Sequence, residues 1–134
     1  MREPETNARN MNQPRVLLVD DDRSVLDALG AVLESEGFDV IRAANGHEAV
    51  EKFCEHRADL VLLDLNMPVE GGWDTYKRLK SINPLLPIVV ITALMQKPLD
   101  IPLLLEAMRA LLAEPAQQRL ARITTHQPQT HYLA

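Results

Sequence analysis

Three short runs, Val16-Leu17-Leu18-Val19, Leu60-Val61-Leu62-Leu63 and Ile88-Val89-Val90-Ile91, are apolar at every position. A half-solvated strand alternates apolar with polar side chains, so a run without alternation implies a strand buried on both faces. Such strands are parallel and need crossovers of a dozen residues or so, which helices usually supply. The intervals carry that signal. After the first run, Val25, Leu26, Leu29, Val32 and Leu33 keep the 3.6-residue period, with Ser24 expected as the cap and Gly37 as the stop. Phe38 to Ala43 is a further strand candidate, and Asn45-Gly46 leads into a helix with Ala49, Val50 and Phe53 on one side. A loop through Pro68, Gly71 and Gly72 precedes a helix from about Trp73 to Ile82. Asp100, with Pro102 in the first turn, opens a last helix bearing Leu103, Leu104, Ala107, Met108 and Leu111. This alternation predicts an α/β fold, a doubly wound parallel sheet covered on both faces.

A chain of 134 residues holds one such domain. The expected organisation is a disordered leader over 1–14, a folded domain over 15–114, and a helical extension or tail over 115–134. A net charge of −5 argues against broad contact with nucleic-acid phosphates. Arg119 to His131 is basic and free of Asp and Glu, and is read as a solvated tail. No segment approaches the roughly 20 apolar residues of a membrane span, and no charged start followed by an apolar run marks a signal peptide. The expected location is cytoplasmic. Cys54 is the sole cysteine and is expected to be a small buried side chain. His47, His56, His126 and His131 share no metal-ligand spacing.

In a doubly wound sheet, ligands bind beyond the carboxyl ends of the strands. Asp20, Asp21 and Asp22 follow the first run, Asp64 the second and Thr92 the third. Carboxylates brought together there repel one another unless a cation neutralises them, and hard oxygen ligands suit Mg²⁺. An Asp ahead of a helix also serves as a cap or complements its positive end, which is the role expected of Asp22. Asp64 alone would be an ordinary turn residue. With Asp20 and Asp21 at a matching strand end, it becomes a candidate nucleophile. Trp73 and Tyr76 are expected to be packing residues.

The segments VLLVDDD, ADLVLLDLNMP followed by GG, IVVITA and QKPLD, in that order, resemble the successive signatures of response-regulator receiver domains. They run from about Arg15 to Leu112, and the DLNMP segment is the most specific of them. The resemblance implies a flavodoxin-like fold with Asp64 as phospho-acceptor and Asp20 and Asp21 as an acidic pair holding Mg²⁺ beside it. It further implies that Asn66 offers its backbone carbonyl to the metal, that Thr92 turns its hydroxyl to the phosphoryl group, and that Lys97, before Pro98, pairs with it. A stand-alone receiver would take its phosphoryl group from a histidine kinase or phosphotransfer protein and signal through an output partner protein. Its chemistry would be self-catalysed phosphorylation and dephosphorylation, without turnover of an external substrate.

One departure from the family stands out. A helix and a strand normally separate the threonine from the lysine, yet only Ala93, Leu94, Met95 and Gln96 lie between Thr92 and Lys97. The family's fourth helix is missing. A segment Leu94 to Lys97 could not lie parallel beside Ile88 to Thr92 within one chain. Three arrangements satisfy this: a segment omitted from the chain, slightly favoured because both flanks keep family-like residues; a deletion leaving a four-stranded sheet; or a homodimer in which the last segment crosses into a partner. By the same alignment Leu94 replaces the family's aromatic switch residue, so no aromatic readout is expected.

Two other functions fit parts of the pattern. Leu17 to Ser24 also reads as a strand ending in Asp-x-Asp-x-Ser, the start of a haloacid-dehalogenase-type phosphatase with Asp20 as nucleophile and Asp22 as acid–base. That class usually has a longer chain and a second acidic pair after a later strand. A receiver-like interaction module that is never phosphorylated is the remaining possibility.

Overall fold

The computed structural model describes residues 13–65, 71–91, 100–114 and 130–133. In chain order the elements are β1 (Arg15–Val19), α1 (Arg23–Ser35), β2 (Asp39–Ala43), α2 (Gly46–Glu55), β3 (Leu60–Asp64), α3 (Gly72–Ile82), β4 (Ile88–Ile91), α4 (Ile101–Ala113) and β5 (Thr130–Leu133). The strands form one sheet in the order β2-β1-β3-β4-β5, and every neighbouring pair is parallel. The doubly wound parallel fold expected from the apolar runs is the one observed, because β1, β3 and β4 are buried on both sides.

Alternate residues of the strands feed two cores. On one face, Val16, Leu18, Leu60, Leu62 and Val89 pack against Leu26, Leu29 and Leu33 of α1 and Leu104, Leu105, Met108 and Leu111 of α4. On the other, Leu17, Val19, Val61, Leu63, Ile88 and Val90 meet Ala49 and Phe53 of α2 and Leu79 of α3. Burying a leucine of either set contributes about 1.5–3 kcal/mol relative to leaving it exposed.

Local sequence sets the helix ends. Asp22, rather than Ser24, caps α1: it holds an extended backbone, and its carboxylate accepts the Ser24 amide at 2.9 Å. Gly37 follows α1 at φ 95°, a conformation that an L side chain resists. Asn45 caps α2 through Glu48 N–H, and Asp100 caps α4 through Leu103 N–H, with Pro102 in the first turn.

The expected tail is different. Residues 115–129 lie outside the described residues, but Thr130–Leu133 is a strand, not a helix, and it makes the sheet five-stranded, unlike the four-stranded sheet of the deletion alternative. The physical reason is the outer edge of β4, whose buried backbone needs ladder partners. Leu94 to Lys97, the counterpart of the family's fifth strand, also lies outside the described residues.

The last connection has an unusual hand. The steps from β3 to β4 and from β4 to β5 run in the same direction across the sheet, yet α3 covers one face and α4 the other. Two like steps over opposite faces have opposite hands. The crossovers through α1, α2 and α3 agree with one another, so β4–α4–β5 is the odd one out.

Two side chains depart from expectation. Cys54 is exposed, because Phe53, one position earlier on α2, takes the inward direction. Trp73 is 46% exposed at the start of α3, with Tyr76 packed edge-on against it at 5.3 Å.

Candidate functional site

The register of the two central strands builds the site. Val19 of β1 pairs with Leu63 of β3, so Asp20 and Asp64, one residue further on, emerge side by side at the carboxyl end of the sheet. Asp64 also pairs with Ile91, the residue before Thr92. Backbone bonds fix this edge: Asp20 N–H donates to Ala43 O at 3.1 Å and Leu65 N–H to Ile91 O at 2.9 Å. Asp20, Asp21 and Asp64 can each offer a carboxylate oxygen such that all three lie within 4.8 Å of one another. Asp20 and Asp64 are half-buried and Asp21 is exposed.

The electrostatics are strained. Burial pushes the Asp20 carboxyl up from 3.8 to about 6, and the charges of Asp64, Asp21 and Asp22 add to the rise. The Asp22 amide, donating to Asp20 Oδ1 at 2.8 Å, works in the other direction. Three hard carboxylate oxygens converging at an edge where Asp21 is exposed are a donor set suited to Mg²⁺.

Of the residues singled out in the sequence, Asp20, Asp21 and Asp64 are therefore brought together. Asp22 is drawn off as the α1 cap. Asn66, Thr92 and Lys97 lie outside the described residues. Sequence reasoning passed over Gly72 as loop. Its amide donates to Leu65 O at 3.3 Å, and a Cβ built there would stand 2.6 Å from Asp64 O and 2.8 Å from Leu65 C. The paired glycines seven and eight residues after Asp64 were the available signal. Among the described residues, no helix is long and apolar enough to cross a membrane.

Comparison with known proteins gives the family and the fold. The family model for the response regulator receiver domain matches residues 16–125. The chain is 40% identical over 83 residues to the transcriptional regulatory protein PrrA of Mycobacterium tuberculosis, covering 62% of this chain and 36% of PrrA. It thus spans about a third of that relative's length. Among solved structures, a receiver domain protein of Methanospirillum hungatei superposes with a TM-score of 0.70 at 24% identity, covering 82% of this chain and 98% of the other, which speaks for the fold alone. The response regulator TrrA of Thermotoga maritima, solved with Mg²⁺ and beryllofluoride, gives a TM-score of 0.68 at 26% identity, covering 74% of this chain and 99% of TrrA. TrrA has also been solved in complex with the histidine kinase ThkA. The five-stranded parallel order, the acidic cluster at its carboxyl edge and the family match over 16–125 together show that the chain belongs to the response regulator receiver domains of two-component systems.

Proposed function

We propose that this receiver accepts a phosphoryl group on Asp64 from a histidine kinase or phosphotransfer protein and passes the signal to a partner protein. The observation that carries the proposal is the convergence of Asp20, Asp21 and Asp64 within 4.8 Å at one sheet edge. TrrA, similar over most of its length, supports both halves of the reading: it has been solved with Mg²⁺–beryllofluoride and with a histidine kinase.

In this mechanism a carboxylate oxygen of Asp64 attacks phosphorus in line; the new P–O bond forms as the P–N bond to the donor imidazole breaks, and the electron pair leaves with the imidazole. Asp20, Asp21, Asp64 and the Asn66 carbonyl would hold Mg²⁺, which when bound would supply positive charge to offset that of the phosphoryl oxygens. Asp20 is kept close and poorly solvated, so its charge is costly without the cation and effective with it. Lys97 is assigned the ammonium that pairs with the phosphoryl oxygens, and Thr92 the hydroxyl that reports the phosphate by a hydrogen bond. Hydrolysis of the acyl phosphate resets the site, and no external substrate is turned over. We place the protein in the cytoplasm, where the kinase's phosphohistidine is available.

The phosphatase alternative needs Asp22 as an acid–base beside Asp20. Its carboxylate is instead engaged with the Ser24 amide as the α1 cap, which argues against that role. The test is incubation with Mg²⁺ and a small phosphodonor followed by intact mass. A stable single phosphoryl adduct that Asp64→Asn abolishes supports the proposal. Rapid phosphodonor turnover that depends on Asp20 favours the phosphatase, and no adduct leaves an interaction module.

A further inference from the structure

From the topology of the sheet, we infer that the slot beside β4 is filled in solution by β5 of a second copy of this chain, giving a closed, strand-exchanged homodimer. Within one chain, the β4–α4–β5 connection has the opposite hand to the three other crossovers. Parallel crossovers are right-handed in about 98% of cases, because a right-twisted sheet and a right-handed helix pack back only that way. α4 itself is not free to change face: Leu104 and Met108 are fully buried against α1 and the sheet. The anomaly therefore lies in which chain supplies β5.

Exchange removes it without changing a contact. The ladder Ile88↔Thr130, Val89↔His131, Val90↔Tyr132 and Ile91↔Leu133 is the same whether the two strands belong to one chain or two. Residues 114–129, sixteen in number, separate α4 from β5. At up to about 3.5 Å per residue they span roughly 55 Å, enough to reach a neighbour. If the slot stayed empty, β4 would be a wholly apolar edge open to uncontrolled pairing. Two-fold reciprocal exchange fills both slots and closes the assembly. Strand exchange does not depend on phosphorylation at Asp64.

The experiment uses the full chain. ¹³C-labelled and unlabelled protein are unfolded together in urea, refolded as a mixture, and examined by sedimentation and isotope-filtered NOEs between backbone protons of Val89 and His131. The expected result is a particle of twice the 15.1 kDa chain mass, with β4–β5 NOEs between labelled and unlabelled chains. A monomer with these NOEs only within chains would overturn the inference. So would a dimer whose β4–β5 NOEs stay within each chain, or an open-ended larger assembly.

Discussion

Gly72 lies directly against the backbone of Asp64: a Cβ at position 72 would stand 2.6 Å from the Asp64 carbonyl oxygen. The opposing atoms are backbone at the end of β3, so they cannot swing away as a side chain would. Gly72→Ala should therefore destabilise the protein by about 2 kcal/mol, despite the higher helix propensity of alanine. The same change should weaken Mg²⁺ binding, because relief of the overlap moves Asp64. Urea unfolding and Mg²⁺ titration check both; a neutral or stabilising effect would show that the loop yields.

A second glycine makes the opposite argument. At Gly30 a Cβ would meet the guanidinium of Arg42, 2.5 Å from Cζ and 2.6 Å from Nε. That guanidinium donates to Leu26 O at 3.1 Å and to both Glu34 oxygens at 3.2 Å, so displacing it has a cost. Gly30→Ala should destabilise the wild-type protein by about 1 kcal/mol. In an Arg42→Ala background the same change should stabilise by about 1 kcal/mol, the ordinary gain of Ala over Gly in a helix. Additive effects in this double-mutant cycle would show that the contact does not couple the two positions.

The Asp20 carboxyl, raised by burial from 3.8 to about 6, gives a pH dependence with a definite sign. Between those values the folded state binds more protons than the unfolded one, so metal-free stability falls as pH rises through the window and levels off above it. Asp20→Asn should remove this component and make the metal-free protein more stable than wild type at pH 7. Mg²⁺ binding by the wild type should strengthen as pH rises through 6, as the ligand loses its proton. Unfolding of both proteins at several pH values, with and without Mg²⁺, checks the sign; a wild-type stability that rises relative to Asp20→Asn over this window would refute it.

α4 docks on the face of α1 through Leu104, which is fully buried. Leu104→Ala should cost about 3 kcal/mol, a transfer loss plus a cavity term. By contrast Leu103→Ala, at a position 48% exposed on the same helix, should stay within about 0.5 kcal/mol of wild type. Equal effects at the two positions would contradict the placement of the helix.

Much of this was legible in the residues. β1, β3 and β4 announce themselves because strands buried on both faces cannot carry polar residues, and the acids at their ends follow from the same register. The caps at Asn45 and Asp100 were readable because a side-chain oxygen before an apolar period has one local use. Ser24 is displaced as the cap because Asp22 offers the same chemistry two residues earlier. Cys54 faces outward, not inward as expected, because it lies about 100° around the helix from the buried Phe53. Thr130–Leu133 was not legible: Thr-His-Tyr-Leu has no apolar run, and what makes it a strand is the open edge of β4, a partner far away in sequence.

The most direct test of phosphoryl transfer to Asp64 is chemical trapping. The protein is treated with Mg²⁺ and a phosphodonor, reduced with borohydride to convert any acyl phosphate to homoserine, and digested for peptide mass mapping. Homoserine is predicted at position 64, dependent on Mg²⁺ and lost when Asp20 and Asp21 are both changed to Asn. Homoserine at position 20, or at no position despite intact Mg²⁺ binding, would contradict the assignment of Asp64 as acceptor.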